Sequence, residues 1–174
     1  MPELPEVETT VKDLQTKVLS RTFVDVWTDT KKIIKKPKDF GEFRKQLKGK
    51  KIQKIWRRGK NIIFGLSKDY SLLIHQKLTG HLLVGYWIPT HPPPSSKAPL
   101  DNGYWKPKEK GLLEEKINTY IHLLFTLDNR KMLVLSDLRK FAKVELWRTE
   151  DLKNKYNVNK TPRLETRQIF LLLE

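Results

Sequence analysis

The sequence contains no cysteine, which excludes disulfides and every cysteine-ligated zinc site at once. It also lacks any apolar run approaching the ~18 residues of a membrane-spanning helix. Nor does it open like a secretory signal. Met1 to Glu8 carries three acids and two prolines where a basic and then an apolar stretch would be needed. A soluble cytoplasmic, nucleoid-associated protein with no membrane partner is the expectation. The 174 residues, 38% of them hydrophobic, suffice for one domain with a real core, or one domain and a tail.

Acidic residues are scarce as well: 20 Asp and Glu face 35 Lys and Arg, a net charge of +15. Self-repulsion of that size opposes compactness, so a polyanionic partner is the natural explanation. The charge is also unevenly spread. Lys31 to Lys60 holds 14 basic residues and only Asp39 and Glu42 as acids, which puts +12 of the +15 in 30 residues. Trp56 lies within this stretch and Phe64 just after it, a mixture that suits nucleic acid.

Apolar residues at Val7, Val11, Leu14 and Val18 follow the spacing of one helical face, and the prolines and acids before them suit a helix start. A strand is expected over Arg21 to Thr28 and a short helix over Asp39 to Leu47, with Gly49 after its end. Short β-rich runs then cover Lys51 to Arg57, Asn61 to Ser67, Ser71 to Lys77 and Leu82 to Ile88. Arg58-Gly59, Lys68-Asp69 and Thr79-Gly80 separate them as turns. Pro89 to Pro99, with five prolines, reads as a loop whose polar continuation to about Lys116 is mobile. Asn118 to Leu127, Lys131 to Ser136 and Phe141 to Trp147 complete seven or eight strands, which suggests a β-sandwich or barrel with one long leading helix. The expected fold class is mainly β with flanking helices. Residues 149–174 read as a polar linker and a short apolar end. Ile169, Phe170, Leu171, Leu172 and Leu173 in that end are candidates for docking or self-association.

The first eight residues carry the most chemistry. Pro2 is small enough for methionine aminopeptidase to remove Met1, leaving a secondary amine that can attack an aldehyde-level carbon and form a cationic iminium. Glu3 would then be an adjacent carboxyl group able to move a proton. On chemistry alone the same segment is more often an ordinary proline-and-acid helix start.

Met1-Pro2-Glu3-Leu4-Pro5-Glu6-Val7-Glu8 resembles the start of the formamidopyrimidine-DNA glycosylase and endonuclease VIII family. Three later segments match in order. Arg57-Arg58-Gly59-Lys60 is similar to the family's Arg-Arg-Gly-Lys turn. His75-Gln76-Lys77-Leu78-Thr79-Gly80 is similar to its His-Leu-Gly-Met-Thr-Gly segment, and Asp137-Leu138-Arg139-Lys140-Phe141-Ala142 to its Asp-Pro-Arg-Arg-Phe-Gly segment. The resemblance covers residues 1–148, the family's β-sandwich catalytic domain. It implies Pro2 as the nucleophile at C1′ of a damaged nucleotide, Glu3 as the acid/base, Glu6 as a supporting carboxylate and Lys60 as the active-site turn lysine. Arg58, Lys60, His75, Leu78, Arg139, Lys140 and Phe141 are implied DNA contacts, with Leu78, Arg139 and Phe141 filling the gap left by an extruded nucleotide. Arg139 and Phe141 would project on one side if their segment is extended. No metal or organic cofactor is implied.

The implied partner is damaged, abasic or single-stranded DNA. The family's helix–two-turn–helix domain and zinc finger are expected to be absent from these residues. The competing expectation is a DNA-binding protein that keeps the fold and has lost the chemistry.

Overall fold

The computed structural model describes residues 3–90 and 104–157. Pro2, the proline-rich segment from residue 91 and the apolar residues Ile169 to Leu173 lie outside the described residues.

Helix α1 (Leu4–Lys17) buries Val7, Val11 and Leu14, the face that the spacing predicts. After it, β1 (Phe23–Thr28) and β2 (Ile34–Lys36) precede α2 (Phe40–Leu47). The Asp39 carboxylate caps α2 by accepting the Glu42 N–H at 3.0 Å. Then come β3 (Ile52–Arg58), β4 (Asn61–Leu66), β5 (Tyr70–His75), β6 (Gly80–Gly85) and β7 (Trp87–Pro89). The described chain resumes with β8 (Trp105–Pro107), β9 (Ile121–Leu127), β10 (Met132–Asp137), β11 (Lys143–Arg148) and α3 (Thr149–Asn157).

Two sheets face each other, one ordered β1-β9-β10-β6 and the other β2-β11-β5-β4-β3. The alternation of each strand sends one set of side chains, among them Phe23, Phe64, Leu72, Leu123, Phe125 and Leu135, into a shared core. Helix α1 packs on both β3 and β6, the edge strands on one side of the sandwich, and so closes that seam. Helix α2 packs on β1, the edge strand at the other side.

The architecture is the expected mainly β sandwich with a long leading helix, and two features add to it. Strand β2 joins β11 in parallel, because the chain crosses from one sheet to the other between β1 and β2. Strands β7 and β8 pair as a small third sheet, so part of the segment expected as mobile loop up to Lys116 is ordered. Trp87 anchors it over Ile121, Leu124 and Val134 on the outer face of the first sheet. Thr149–Asn157 is a helix where the sequence reads as polar linker. Its Leu152 is fully buried against Trp56, Ile63 and Leu73 on the outer face of the second sheet. No described helix is long and apolar enough to cross a membrane.

Candidate active site

Strand register aligns one end of the larger sheet. Arg58 pairs with Asn61, Asn61 with His75, and His75 with Lys143. In the other sheet Gly80 pairs with Asp137. The connections from β5 to β6 and from β10 to β11 therefore cross between the sheets at this same end, beside the β3–β4 turn. Residue Gly59 takes φ +57° there, a conformation open to glycine without penalty.

The two crossing turns are fastened by one buried carboxylate. Asp137, 1% exposed, accepts the Thr79 hydroxyl at 2.5 Å and the Ala142 N–H at 2.8 Å. Thr79 Oγ1 also accepts the Arg139 N–H at 3.1 Å. Leu78 on one turn and Arg139 and Phe141 on the other are thus held together. Leu78 and Phe141 remain 43% and 53% exposed, well above what large apolar side chains of a packed turn need. Neighbouring Leu138 is 48% exposed and adds to this apolar tip.

The segment carrying Arg139 and Phe141 is not extended, contrary to expectation. Lys140 adopts φ +58° and its N–H bonds the Asp137 carbonyl at 3.3 Å, so the chain turns between the two. Lys77, standing where the family segment has glycine, likewise sits at φ +56°.

The amino terminus comes to the same end. Gln15 Nε2 donates to the Ile55 carbonyl at 2.7 Å, and Arg57 Nε donates to the Glu8 carboxylate at 2.5 Å. Helix α1 therefore runs antiparallel to β3, with its first turn pointing past the β3–β4 turn. Arg57 also reaches the Gly59 carbonyl at 3.4 Å, which ties helix and turn together. Glu3 and Glu6 are both exposed on this first turn, and the Glu6 carboxylate accepts the Glu3 N–H at 3.2 Å.

The electrostatics of this end are positive. Half-buried His75 is held below its ordinary pKa by burial first, then by the charges of Lys77, Lys60 and Lys143. Its Nδ1 accepts the Lys77 N–H at 3.0 Å, which leaves Nε2 as the proton-bearing nitrogen of the neutral ring. Lys60 is half-buried, and Arg139 and Lys140 are exposed. No three His, Asp or Glu side chains cluster as metal ligands among the described residues.

The basic stretch does not all face outward. Lys50 is 7% exposed, with its ammonium donating to the Gln46 carbonyl and lying 4.3 Å from the centre of the Tyr70 ring. Arg44 forms a two-pronged pair with Asp25, and Lys48 approaches the same carboxylate at 3.6 Å. The hydrogen bond from Arg44 is the main reason the Asp25 pKa falls to about 2. Part of the charge in 31–60 therefore holds the fold.

Glu3, Glu6, Arg58, Lys60, His75, Leu78, Arg139, Lys140 and Phe141 all reach this one end. Thr79, Asp137, Glu8 and Arg57 fasten it and were not expected as site residues. Each nevertheless lies within one of the four motifs: Glu8 in the first, Arg57 in the second, Thr79 in the third and Asp137 in the last.

Fold and site define a two-layer β-sandwich whose positively charged, apolar-tipped end stands beside an acidic helix start. The model of the formamidopyrimidine-DNA glycosylase N-terminal domain matches residues 1–144, and the chain belongs to that family. The formamidopyrimidine-DNA glycosylase of Pelotomaculum thermopropionicum is 32% identical over 152 residues, 87% of this chain and 45% of that protein. The Streptococcus agalactiae enzyme is 31% identical over 160 residues, 92% of this chain and 48% of that protein. The chain thus spans about half the length of the relatives it matches. Among solved structures, wild-type Lactococcus lactis Fpg (MutM) with N7-benzyl-Fapy-dG containing DNA is similar at TM-score 0.66 and 26% identity, over 89% of this chain and 47% of that one. The same protein with abasic-site containing DNA gives TM-score 0.65 and 26% identity, over 89% and 46%.

Proposed function

We propose that this chain is the catalytic domain of a DNA base-excision repair glycosylase with associated abasic-site lyase activity, residues 1–148 forming the catalytic unit. The observation that carries this reading is the convergence of the α1 start, the Arg58–Lys60 turn and the fastened Leu78 and Arg139–Phe141 turns on one positively charged end. Family membership supports it, as do solved relatives whose DNA carries a damaged or abasic nucleotide.

With Met1 removed, the Pro2 nitrogen attacks C1′, the bond from C1′ to the base breaks, and the base departs with the proton that the amine gives up. Glu3, the N-cap of α1, supplies the proton that opens the sugar ring, leaving an iminium between Pro2 and C1′. The Glu3 carboxylate so formed then takes a C2′ proton, and the 3′ phosphate leaves as the C2′–C3′ double bond forms. Glu6 helps hold Glu3 in place through the Glu3 amide. Lys60 and Arg58 meet the phosphates beside the lesion, while Leu78, Arg139 and Phe141 occupy the space of the extruded nucleotide. His75, neutral and with Nδ1 engaged, supports the turn carrying Leu78 and offers Nε2–H as a donor.

Borohydride trapping on an abasic-site oligonucleotide, paired with intact mass of the protein, tests the reading. A covalent adduct mapped to Pro2 is expected from protein lacking Met1. Processed protein that gives no adduct, or an adduct that persists in Pro2→Gly on some lysine, removes Pro2 from the chemistry. DNA binding without any adduct would leave a non-catalytic binder.

A further inference from the structure

At the opposite end of the larger sheet lies a hollow of about 230 Å³ lined by Lys36, Gln46, Tyr70, Leu146, Arg148 and Asp151. Tyr70 opens β5 and pairs with Arg148 at the end of β11. The length of β5 separates this hollow from His75, about 17 Å at the usual strand rise. Lys36 comes from β2, Gln46 from α2 and Asp151 from α3, so five elements shape it.

Two cations, Lys36 and Arg148, line the hollow against the one carboxylate of Asp151, and a third, Lys50, lies against its Tyr70 wall. Lys50 Nζ and the Arg148 guanidinium lie 4.3 Å and 5.5 Å from the centre of the same Tyr70 ring. Lys36 Nζ lies 3.8 Å from the neighbouring Trp147 ring. None of the three forms an ion pair among the described residues. Asp151 is the sole carboxylate of the lining. Lys50 is held below its ordinary pKa by burial, then by repulsion from Lys68 and Arg148. Like charges gathered around one hollow are unfavourable by themselves, and an anion seated among them offsets the repulsion. An ammonium from β2 and a planar guanidinium from β11, with the Lys50 charge close behind, suit a tetrahedral oxyanion better than an apolar or cationic guest.

We propose that this hollow binds a phosphate group, at a second site remote from the candidate active site. If the phosphate belongs to a DNA backbone, it lies about five nucleotides from the lesion at ~3.4 Å per nucleotide. The site would then lengthen the footprint of the chain along its substrate. This DNA arm rests on the function proposed above; binding of inorganic phosphate does not.

Two measurements on the full chain test the site. Amide chemical shifts are followed on titration with inorganic phosphate, in wild type and in Lys36→Ser/Arg148→Ser, whose two changes fall on exposed side chains. Saturable shifts around Tyr70 and Arg148 that vanish in the double variant are expected. Asp151→Asn should bind phosphate about two- to fivefold tighter, as loss of one exposed repulsive charge allows. The salt dependence of binding to a 21-base-pair duplex with a central abasic analogue is then compared. The log–log slope should fall by about two units in the double variant if both cations meet DNA phosphate. Phosphate shifts with an unchanged slope assign the site to a free phosphate. A changed slope without shifts assigns it to the DNA backbone. Neither effect overturns the proposal, and borohydride trapping in the same variant reports separately on the catalytic reading.

Discussion

Thr79 Oγ1 donates to Asp137 Oδ1 at 2.5 Å, joining two turns that lie 58 positions apart in the chain. Asp137 accepts the Ala142 N–H with its other oxygen and is 1% exposed, so nothing from solvent replaces these bonds when it is lost. Asp137→Ala leaves a buried amide and a hydroxyl without an acceptor and should cost about 2–4 kcal/mol, from two unmade bonds. Asp137→Asn should cost clearly less, because the Thr79 hydroxyl can turn and accept from the new amide. Urea unfolding of both variants checks the order; equal losses would mean that volume, not hydrogen bonding, fastens the turns.

Much of this scaffold is legible in the sequence, for identifiable reasons. The apolar spacing of Val7, Val11 and Leu14 fixes α1, and Asp39 before Phe40, Phe43 and Leu47 fixes α2. Strand β2 escapes notice because it is three residues long, Ile34–Lys36, and pairs with a partner more than 100 positions away. Helix α3 escapes because a single residue, Leu152, anchors it. In the site, motifs locate Leu78, Arg139 and Phe141, but the turn at Lys140 and the fastening by Asp137 depend on tertiary hydrogen bonds. Lys50 belongs to the basic stretch whose composition suits nucleic acid, but lysine is rarely buried, and only the Tyr70 ring and the Gln46 carbonyl explain its burial.

Gly80 is required by space. A Cβ there would stand 2.3 Å from the Gln76 carbonyl oxygen, a backbone atom that cannot move aside without opening the turn. The Gly80 N–H bonds that same oxygen at 3.0 Å. Gly80→Ala should therefore destabilise by at least about 1–3 kcal/mol, the usual range for overpacking. A denaturation midpoint equal to that of wild type, with unchanged slope, would contradict the close approach.

His75 makes stability depend on pH. The unfolded chain takes up a proton near 6.5, whereas the native imidazole, buried and faced by Lys77, Lys60 and Lys143, takes it up only at lower pH. Between those values the unfolded state holds more protons. Stability is therefore complete above about pH 6.5 and is lost as pH falls toward the native value. His75→Gln removes the titration and should flatten the melting temperature across that interval. A profile as steep as that of wild type would assign the acid sensitivity to other groups.

Phe141 is 53% exposed on a fastened turn, which suits a wedge more than a packing residue. Its contribution should depend on whether the target nucleotide is stacked. In paired duplex DNA a nucleotide must leave the stack before C1′ reaches Pro2, at a cost of a few kcal/mol that an inserted ring partly offsets. In a single strand or a bubble that cost is already small. Phe141→Ala should then slow single-turnover cleavage of an abasic site in fully paired DNA about tenfold or more, the equivalent of ~1.4 kcal/mol. On the same site in a single strand or bubble it should act less than about twofold, since no stacked base needs replacing. Wild-type chain should also favour the unstacked substrates, and process oxidised guanine paired with cytosine poorly. Equal slowing on paired and unpaired DNA would show that Phe141 supports the turn and does not enter the helix. Efficient excision of the paired oxidised guanine by wild type would place lesion recognition within the sandwich itself.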